Sequence, residues 1–406
     1  VGAPAECASL LAVPRLTPFR GIRYATADLA AVTAPPYDVL SDAERAALAN
    51  RHPHNIVHVD VPLEEDGPER YERAAALVRR WQADQVLSTD PAPALYLYRL
   101  TFADEAGVTR GMTGVLGGLD VQEAGPAADV LPHEQTTPKA TTDRLDLTHA
   151  TGINLSPVWG LSLATGLHDL LDPAATPLGS FVDGGVTHTL ERIDDAERVD
   201  AIARAVGAAP VVIADGHHRY DVARTFRREQ RARLGHPGPY DETLAFVVEL
   251  VDHQLHVQAI HRLLSEVDGD LPTHLGRCFH LVEAGPVSTS VLPELEARGA
   301  LCLVHPDGSG TFLVPRPDAF PGVADLDSAR LSHALAGLPH EVRYQHGVER
   351  ILAAVAGGEA TWGVLLRPVG VAAIEATAEQ RVLMPPKSTF FWPKLRTGLV
   401  LRSAVS

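Results

Sequence analysis

Ala209-Pro210-Val211-Val212-Ile213-Ala214-Asp215-Gly216-His217-His218-Arg219-Tyr220-Asp221-Val222-Ala223 reads as a short buried strand turning directly into a helix. The β-branched and apolar run stops at an acidic residue and a glycine, and apolar residues then recur at Val222, Ala223 and Phe226. Gly216 permits a left-handed turn or a close ligand approach that a side chain would forbid. The first turn of the following helix presents N–H groups without intrahelical acceptors, which favour an anion, and Arg219 adds a planar fork of donors. His217 and His218 can donate to the same anion, while Asp215 can hold a histidine tautomer, a metal ion or a substrate hydroxyl. The plainer alternative is a solvent-side turn whose polar residues only cap the helix. Adjacent histidines followed by arginine lack the spacing of a zinc site.

The chain has 406 residues, enough for two or three domains, and its composition is 45% hydrophobic with abundant Gly and Pro but no repeat. A formal charge of −16 argues against a basic nucleic-acid surface. Cys7, Cys278 and Cys302 are odd in number and far apart, which fits a reducing compartment better than a disulfide framework. No uninterrupted apolar run reaches membrane-spanning length and no secretory core is evident, so cytoplasm is the default expectation.

Toward the N-terminus, Pro35-Pro36 place Tyr37 and Asp38 on a stiff loop before a helix over 42–50, with Ser41 and Glu44 as a capping box. Asp38 is either a substrate-facing carboxylate or a turn former. Residues 56–61 alternate like a strand, and 69–82 has helical periodicity with Tyr71, Ala74, Leu77, Val78 and Trp81 inward. Strands are expected over 94–102 and 109–119, whereas 173–183 reads as a connection.

Between them and the central strand, 131–144 packs His133, Glu134, Lys139, Asp143 and Arg144 between prolines. Glu134 is the leading general-base candidate with His133 as its partner, and Lys139 and Arg144 are anion contacts; otherwise this is a charged loop leading into a helix. Asn154 and Ser156 either bind substrate or satisfy backbone groups at a turn. Further on, His261 and Arg262 either approach a cleft or are buried and hydrogen-bonded. Near the C-terminus, Lys387 and Ser388 offer donors to a phosphate, or Phe390, Phe391 and Trp392 form an aromatic clasp with Lys387 at its rim.

Pro35-Pro36-Tyr37-Asp38, His133-Glu134 with Asp143-Arg144, Asn154-Leu155-Ser156-Pro157, Ala214 to Tyr220, and Met384 to Thr389 occur in the order of a prokaryotic family of unknown function, the domain numbered 1015, which the chain resembles over nearly its full length. More distantly, Asp215-Gly216-His217-His218-Arg219 resembles the signature of ParB/sulfiredoxin-like folds, in particular their free-serine kinases. That resemblance implies a mixed α/β protein with a ParB/sulfiredoxin-like nucleotide-binding core and further α/β elaborations. It also implies that Gly216, His217, His218 and Arg219 hold a nucleotide phosphate. His217 stands where sulfiredoxin chemistry would need a cysteine, so thiol repair is not expected.

Three regions are expected: 1–125, a central catalytic region 126–270, and 271–406 folding back on it. The function implied is a small-molecule kinase using ATP or ADP, with free L-serine the closest analogy for the acceptor and Glu134, Asp38, His133 and His218 as catalytic candidates. Magnesium is implied by the phosphate chemistry, with Asp215 its candidate ligand; Tyr37, Asn154, Ser156, His261 and Arg262 are the substrate candidates. The alternatives are a nucleotide-binding or nucleotide-hydrolysing regulatory protein and a ParB-like DNA-associated protein, the latter disfavoured by the acidic charge. A small metabolite is the expected partner, and an oligomer is compatible with the sequence.

Overall fold

The computed structural model describes residues 13–104, 107–126, 128–133, 139–385 and 387–405. The fold is mixed α/β, and its contacts divide it into two units rather than three regions: Val1–Leu255 with Pro393–Ser406, and His256–Trp392. The expected regions 1–125 and 126–270 therefore share one unit up to Leu255.

The first unit is organised around a mixed sheet in the order Val130–Pro132, Val211–Asp215, Val158–Ser162, Glu242–Glu249, Thr109–Asp120, Leu95–Ala103, Val186–Ile193 and Thr176–Asp183. Val211, Val212 and Ile213 are fully buried there, as their apolar run requires. The strand pairs in parallel with Val130–Pro132 and antiparallel with Val158–Ser162, and a register shift between Ile213 and Asp215 sets Asp215 opposite Trp159. Such an irregularity re-aims the side chain at a strand end. After Gly216, the helix His217–Leu234 buries Tyr220, Val222, Ala223 and Phe226 and ends at left-handed Gly235.

Pro393–Ser406 returns to this unit along an extended path. Thr397 exchanges backbone hydrogen bonds with Ala34, Leu401 does so with Ile22, and Arg402–Ser403 pairs with Ile153–Asn154. Gly398 has φ +85°, and a Cβ there would sit 2.9 Å from the Ile56 side chain, so the crossing needs glycine.

The capping box at Ser41 and Glu44 forms as expected and opens the helix Asp42–Arg51. The expected helix over 69–82 is found as Arg70–Ala83, burying Ala74, Ala75, Val78 and Trp81. Two local expectations fail. Residues 56–61 are not a strand but contain the short helix Val57–Asp60. Ile56, Val57 and Val59 are all fully buried, so the alternation does not divide an inner from an outer face. Fully buried Asn55 starts the turn instead, accepting from the Val57 N–H at 3.0 Å while donating to Ala31 and Thr33 carbonyls. The presumed connection 173–183 contains the strand Thr176–Asp183, hydrogen-bonded to Val186–Ile193 in a hairpin closed by Gly184 and Gly185, both at positive φ.

The second unit is an antiparallel sheet in the order Phe279–Pro286, Ser309–Pro315, Leu301–Val304, Trp362–Leu365, Ile260–Ser265 and Glu341–His346. Its strands alternate between two apolar clusters: Leu263, Cys302 and Val304 pack with Leu295 and Ile351, while Leu264, Leu301 and Leu303 pack with Leu271 and Leu331. Both faces of the central strands are therefore covered, while the edge strands Phe279–Pro286 and Glu341–His346 are largely exposed.

Among the described residues, no helix is long and apolar enough to cross a membrane.

Candidate functional site

The strand-to-helix junction assembles around Asp215. Its Oδ2 accepts from Arg219 Nη2 at 2.6 Å and its Oδ1 from Lys394 Nζ at 2.7 Å. Burial alone would raise this carboxyl, but Lys394 and then Arg219 outweigh it and hold the group well below the usual carboxylate range. Arg219 also donates through Nη1 to the Pro157 carbonyl, and its Nε has no hydrogen-bond partner among the described residues. Gly216 has φ +86°, and a Cβ on it would lie 2.9 Å from the Arg219 guanidinium. Glycine here serves both the turn and the close stacking of arginine over the backbone. No side chain caps the helix that follows.

His133 closes the other side. Its Nδ1–H donates to the Ile213 carbonyl, its backbone N–H donates to His217 Nε2 at 3.3 Å, and the two rings lie 4.7 Å apart. His218 Nδ1 is buried without a hydrogen-bond partner among the described residues. Glu134 lies outside the described residues. Lys139 opens the helix Lys139–Thr151, and its side chain also lies outside them.

Beside the junction is a cleft of about 50 Å³ lined in part by Tyr37, Asp60, Arg144, Asn154, Ser156 and Arg219. That volume admits the reactive end of a small molecule, not a nucleotide, whose sites run to hundreds of Å³. Arg144 organises the cleft. It donates to the Asp60 backbone carbonyl at 2.6 Å, to Asp60 Oδ1 at 3.2 Å and to Asp143 Oδ2 at 2.6 Å, and its guanidinium lies 4.4 Å from the centre of the Tyr37 ring. Asp143 also accepts from the Tyr71 hydroxyl at 2.6 Å. The Tyr37 hydroxyl is pushed up to about 12, by burial first and then by Asp38. Asp38 itself is exposed on the short turn Tyr37–Val39. Asn154 Oδ1 accepts from the Leu244 N–H at 3.1 Å, so at least part of its amide serves the backbone.

Of the residues singled out in the sequence, the structure brings Asp215, Gly216, His217, His218, Arg219 and His133 to one junction and sets Arg144, Tyr37, Asn154 and Ser156 on the adjoining cleft. His261, Arg262, Lys387 and Ser388 belong to the second unit. His261 is buried, accepts from the Leu366 N–H at 3.2 Å, and is held down to about 4 by burial and then by Arg262. Arg262 donates to the carbonyls of Ile260 and Lys387 and covers the Tyr344 ring at 4.6 Å. Ser388 is buried against Ser328 and the Pro385 carbonyl, whereas Lys387 is exposed at φ +58°. Each of these contacts lies within that unit.

Asp215 does not fit the role of magnesium ligand, because both of its oxygens are bonded to cationic side chains. Among the described residues, no group of three or more His, Cys, Asp and Glu side chains is placed to hold a metal ion. Sequence reasoning missed Lys394 and Asp60. Lys394 follows Trp392-Pro393, and the neighbouring Lys387-Ser388 drew the functional reading instead. Asp60 was hidden in an apparent strand.

Similar solved structures include a free serine kinase in complex with AMP, at 15% identity over 65% of this chain and 83% of that one, with a TM-score of 0.36. SbnI from Staphylococcus aureus, with a C-terminal truncation, matches at 13% over 71% and 88%, with a TM-score of 0.38. A conserved hypothetical protein from Pyrococcus furiosus matches at 14% over 67% and 92%, with a TM-score of 0.36. These likenesses are loose, and the roles of the site residues rest on their own geometry. None of the curated proteins matches the chain. The model of the family described as "Protein of unknown function (DUF1015)" matches residues 16–330, and the chain belongs to that family.

Proposed function

We propose that the protein is a cytoplasmic, nucleotide-dependent small-molecule kinase that seats a phosphate of ATP or ADP at the His217–Arg219 turn and admits a hydroxyl-bearing metabolite through the adjoining cleft. One observation carries this reading: the uncapped N-terminus of the His217–Leu234 helix opens beside Arg219 and Lys394, two cations that share the single carboxylate Asp215. The three side chains sum to one positive charge, and the helix end adds its own partial positive charge. Backbone N–H groups in that position suit phosphate oxygens. Asp215 fixes the Arg219 guanidinium beside that helix end. His217 and His218 stand on the same turn as further donors.

The similarity of Asp215-Gly216-His217-His218-Arg219 to the free-serine kinase signature suggests the donor class and makes L-serine the first acceptor to try. The sequence offers Glu134 and Asp38 as proton acceptors for this reading, and His133 fixes the strand end on which the junction is built.

Calorimetry with ADP and with ATP in magnesium buffer, together with mass-resolved products from a metabolite panel, tests the reading. Arg219→Ala is expected to weaken nucleotide binding roughly ten- to hundredfold, the range of a lost charge-assisted hydrogen bond, with the chain still folded. Unchanged affinity would remove Arg219 from the phosphate site. Nucleotide hydrolysis without any phosphorylated metabolite would favour a regulatory nucleotide-binding protein.

A further inference from the structure

Asp60 is the least expected polar group in the first unit. Its side chain is 5% exposed, it lines the cleft, and its Oδ2 has no hydrogen-bond partner among the described residues although Oδ1 accepts from Arg144. A buried carboxylate oxygen left without a donor is costly; fully buried Asn55, five residues earlier, by contrast uses both its amide nitrogen and its oxygen. Arg219 lines the same cleft and carries the complementary lack, an Nε donor without a described acceptor. A hydroxyl group can satisfy both kinds of atom, since it donates one hydrogen and accepts through its lone pairs.

We propose that Asp60 is a catalytic residue that receives the hydrogen of a substrate hydroxyl inside the cleft and takes that proton during transfer. This rests on the kinase reading for its chemistry, but its binding half stands on the cleft alone. As the hydroxyl oxygen forms its bond to the terminal phosphorus of the nucleotide, the O–H proton passes to Asp60 Oδ2. The bridging P–O bond breaks, and its electron pair leaves with the shortened nucleotide. Burial raises the Asp60 carboxyl from its ordinary value despite the opposing charge of Arg144, which makes it a stronger base than an exposed aspartate. Arg144 is a positioning residue in this account: it fixes Oδ1 and the backbone carbonyl of Asp60 and so leaves Oδ2 to the substrate. The size of the cleft restricts the class to small alcohols, hydroxy acids and hydroxy amino acids that enter hydroxyl end first.

The experiment has two arms on the full chain. In the first, thermal melting of wild type and Asp60→Asn is followed with a panel of small alcohols, hydroxy acids and hydroxy amino acids, without nucleotide. At least one hydroxyl compound is expected to raise the wild-type melting temperature by roughly 3 °C at a hundredfold excess over its Kd and to leave Asp60→Asn unmoved. Equal responses, or no response by wild type to any of the panel, overturn the proposal whether or not the protein is a kinase. In the second arm, ADP affinity and phosphorylation of the responding compound are measured. Asp60→Asn is expected to keep ADP affinity within about threefold, to lower kcat by roughly a hundredfold or more, and to lose the acidic limb of the pH–rate profile. A retained limb or a retained kcat overturns the proton-transfer role. A wild type that binds the hydroxyl compound but never phosphorylates it sinks the kinase reading and the transfer step while the binding role stands. Should Asp60→Asn fail to fold, Asp60→Glu keeps the charge toward Arg144 but displaces the carboxylate by a methylene. It must fold and lose the hydroxyl response; a retained response, or failure of this variant to fold as well, overturns the assignment in favour of a structural role.

Discussion

Asp215 and Asp60 both set a carboxylate beside an arginine in the first unit, yet their acidities move in opposite directions. Asp215 has a cation on each oxygen, Lys394 at 2.7 Å and Arg219 at 2.6 Å, and is held far toward the ionised form. Asp60 has one, Arg144 at 3.2 Å, and Arg144 lies closer to Asp143, at 2.6 Å. Burial therefore prevails at Asp60 and its carboxyl is raised, while Asp143 is lowered despite its own burial, by Arg144 among other partners. How many carboxylates share each cation separates the two places: the junction has two cations for one carboxylate, and Arg144 is one cation for two. The first arrangement suits a phosphate and the second a proton.

The largest test of this contrast is Arg144→Met, which strips both carboxylates of their shared cation and strands Asp60. A loss of about 3–5 kcal/mol is expected by urea denaturation, with part of it recovered when Asp60→Asn is added. A loss below about 1 kcal/mol would show that Asp60 does not depend on Arg144. Lys394→Met should cost less, about 2 kcal/mol, because Arg219 still meets Asp215. Gly216→Ala is expected to cost roughly 1–2 kcal/mol, since alanine must take the positive φ and also push the guanidinium aside; a crystal structure of the variant with Arg219 unmoved would contradict that packing.

The subtlest test is the sign of the pH dependence. Asp215, lowered from 3.8, contributes stability that is present above that pH and lost as pH falls toward its folded value. Asp60, raised from 3.8, contributes stability that is present below that pH and lost as pH rises through its folded value. The penalty of Asp215→Asn should therefore shrink on acidification, and that of Asp60→Asn should shrink as pH rises. Parallel titrations of urea stability would check both, and two slopes of the same sign would collapse the distinction.

The junction was legible because its elements are local. A β-branched run, a glycine and a helical period lie in consecutive residues, and backbone preference alone orders them. The capping box at Ser41 and the helix Arg70–Ala83 were readable for the same reason. The partners of the junction were not. Lys394 reaches Asp215 from 179 positions away, and nothing in the local sequence separates it from Lys387, which lies in the other unit. Asp60 was obscured because Val57, Val59 and Val61 alternate with His58 and Asp60 by chance of a short buried turn, whose true organiser, Asn55, acts through side-chain bonds that periodicity does not register. His261 and Arg262 look chemical in sequence, but their bonds to Leu366, Ile260 and Lys387 are those of a sheet interior.

The path of Pro393–Ser406 also sets an order of assembly. During synthesis, all of His256–Trp392 emerges before the strand that completes the first unit. Until Lys394 follows, Asp215 has Arg219 alone, so a nascent chain with its second unit already made still carries an unfinished turn at Gly216. The site therefore becomes whole only after the second unit has been made, rather than with the making of the central strand.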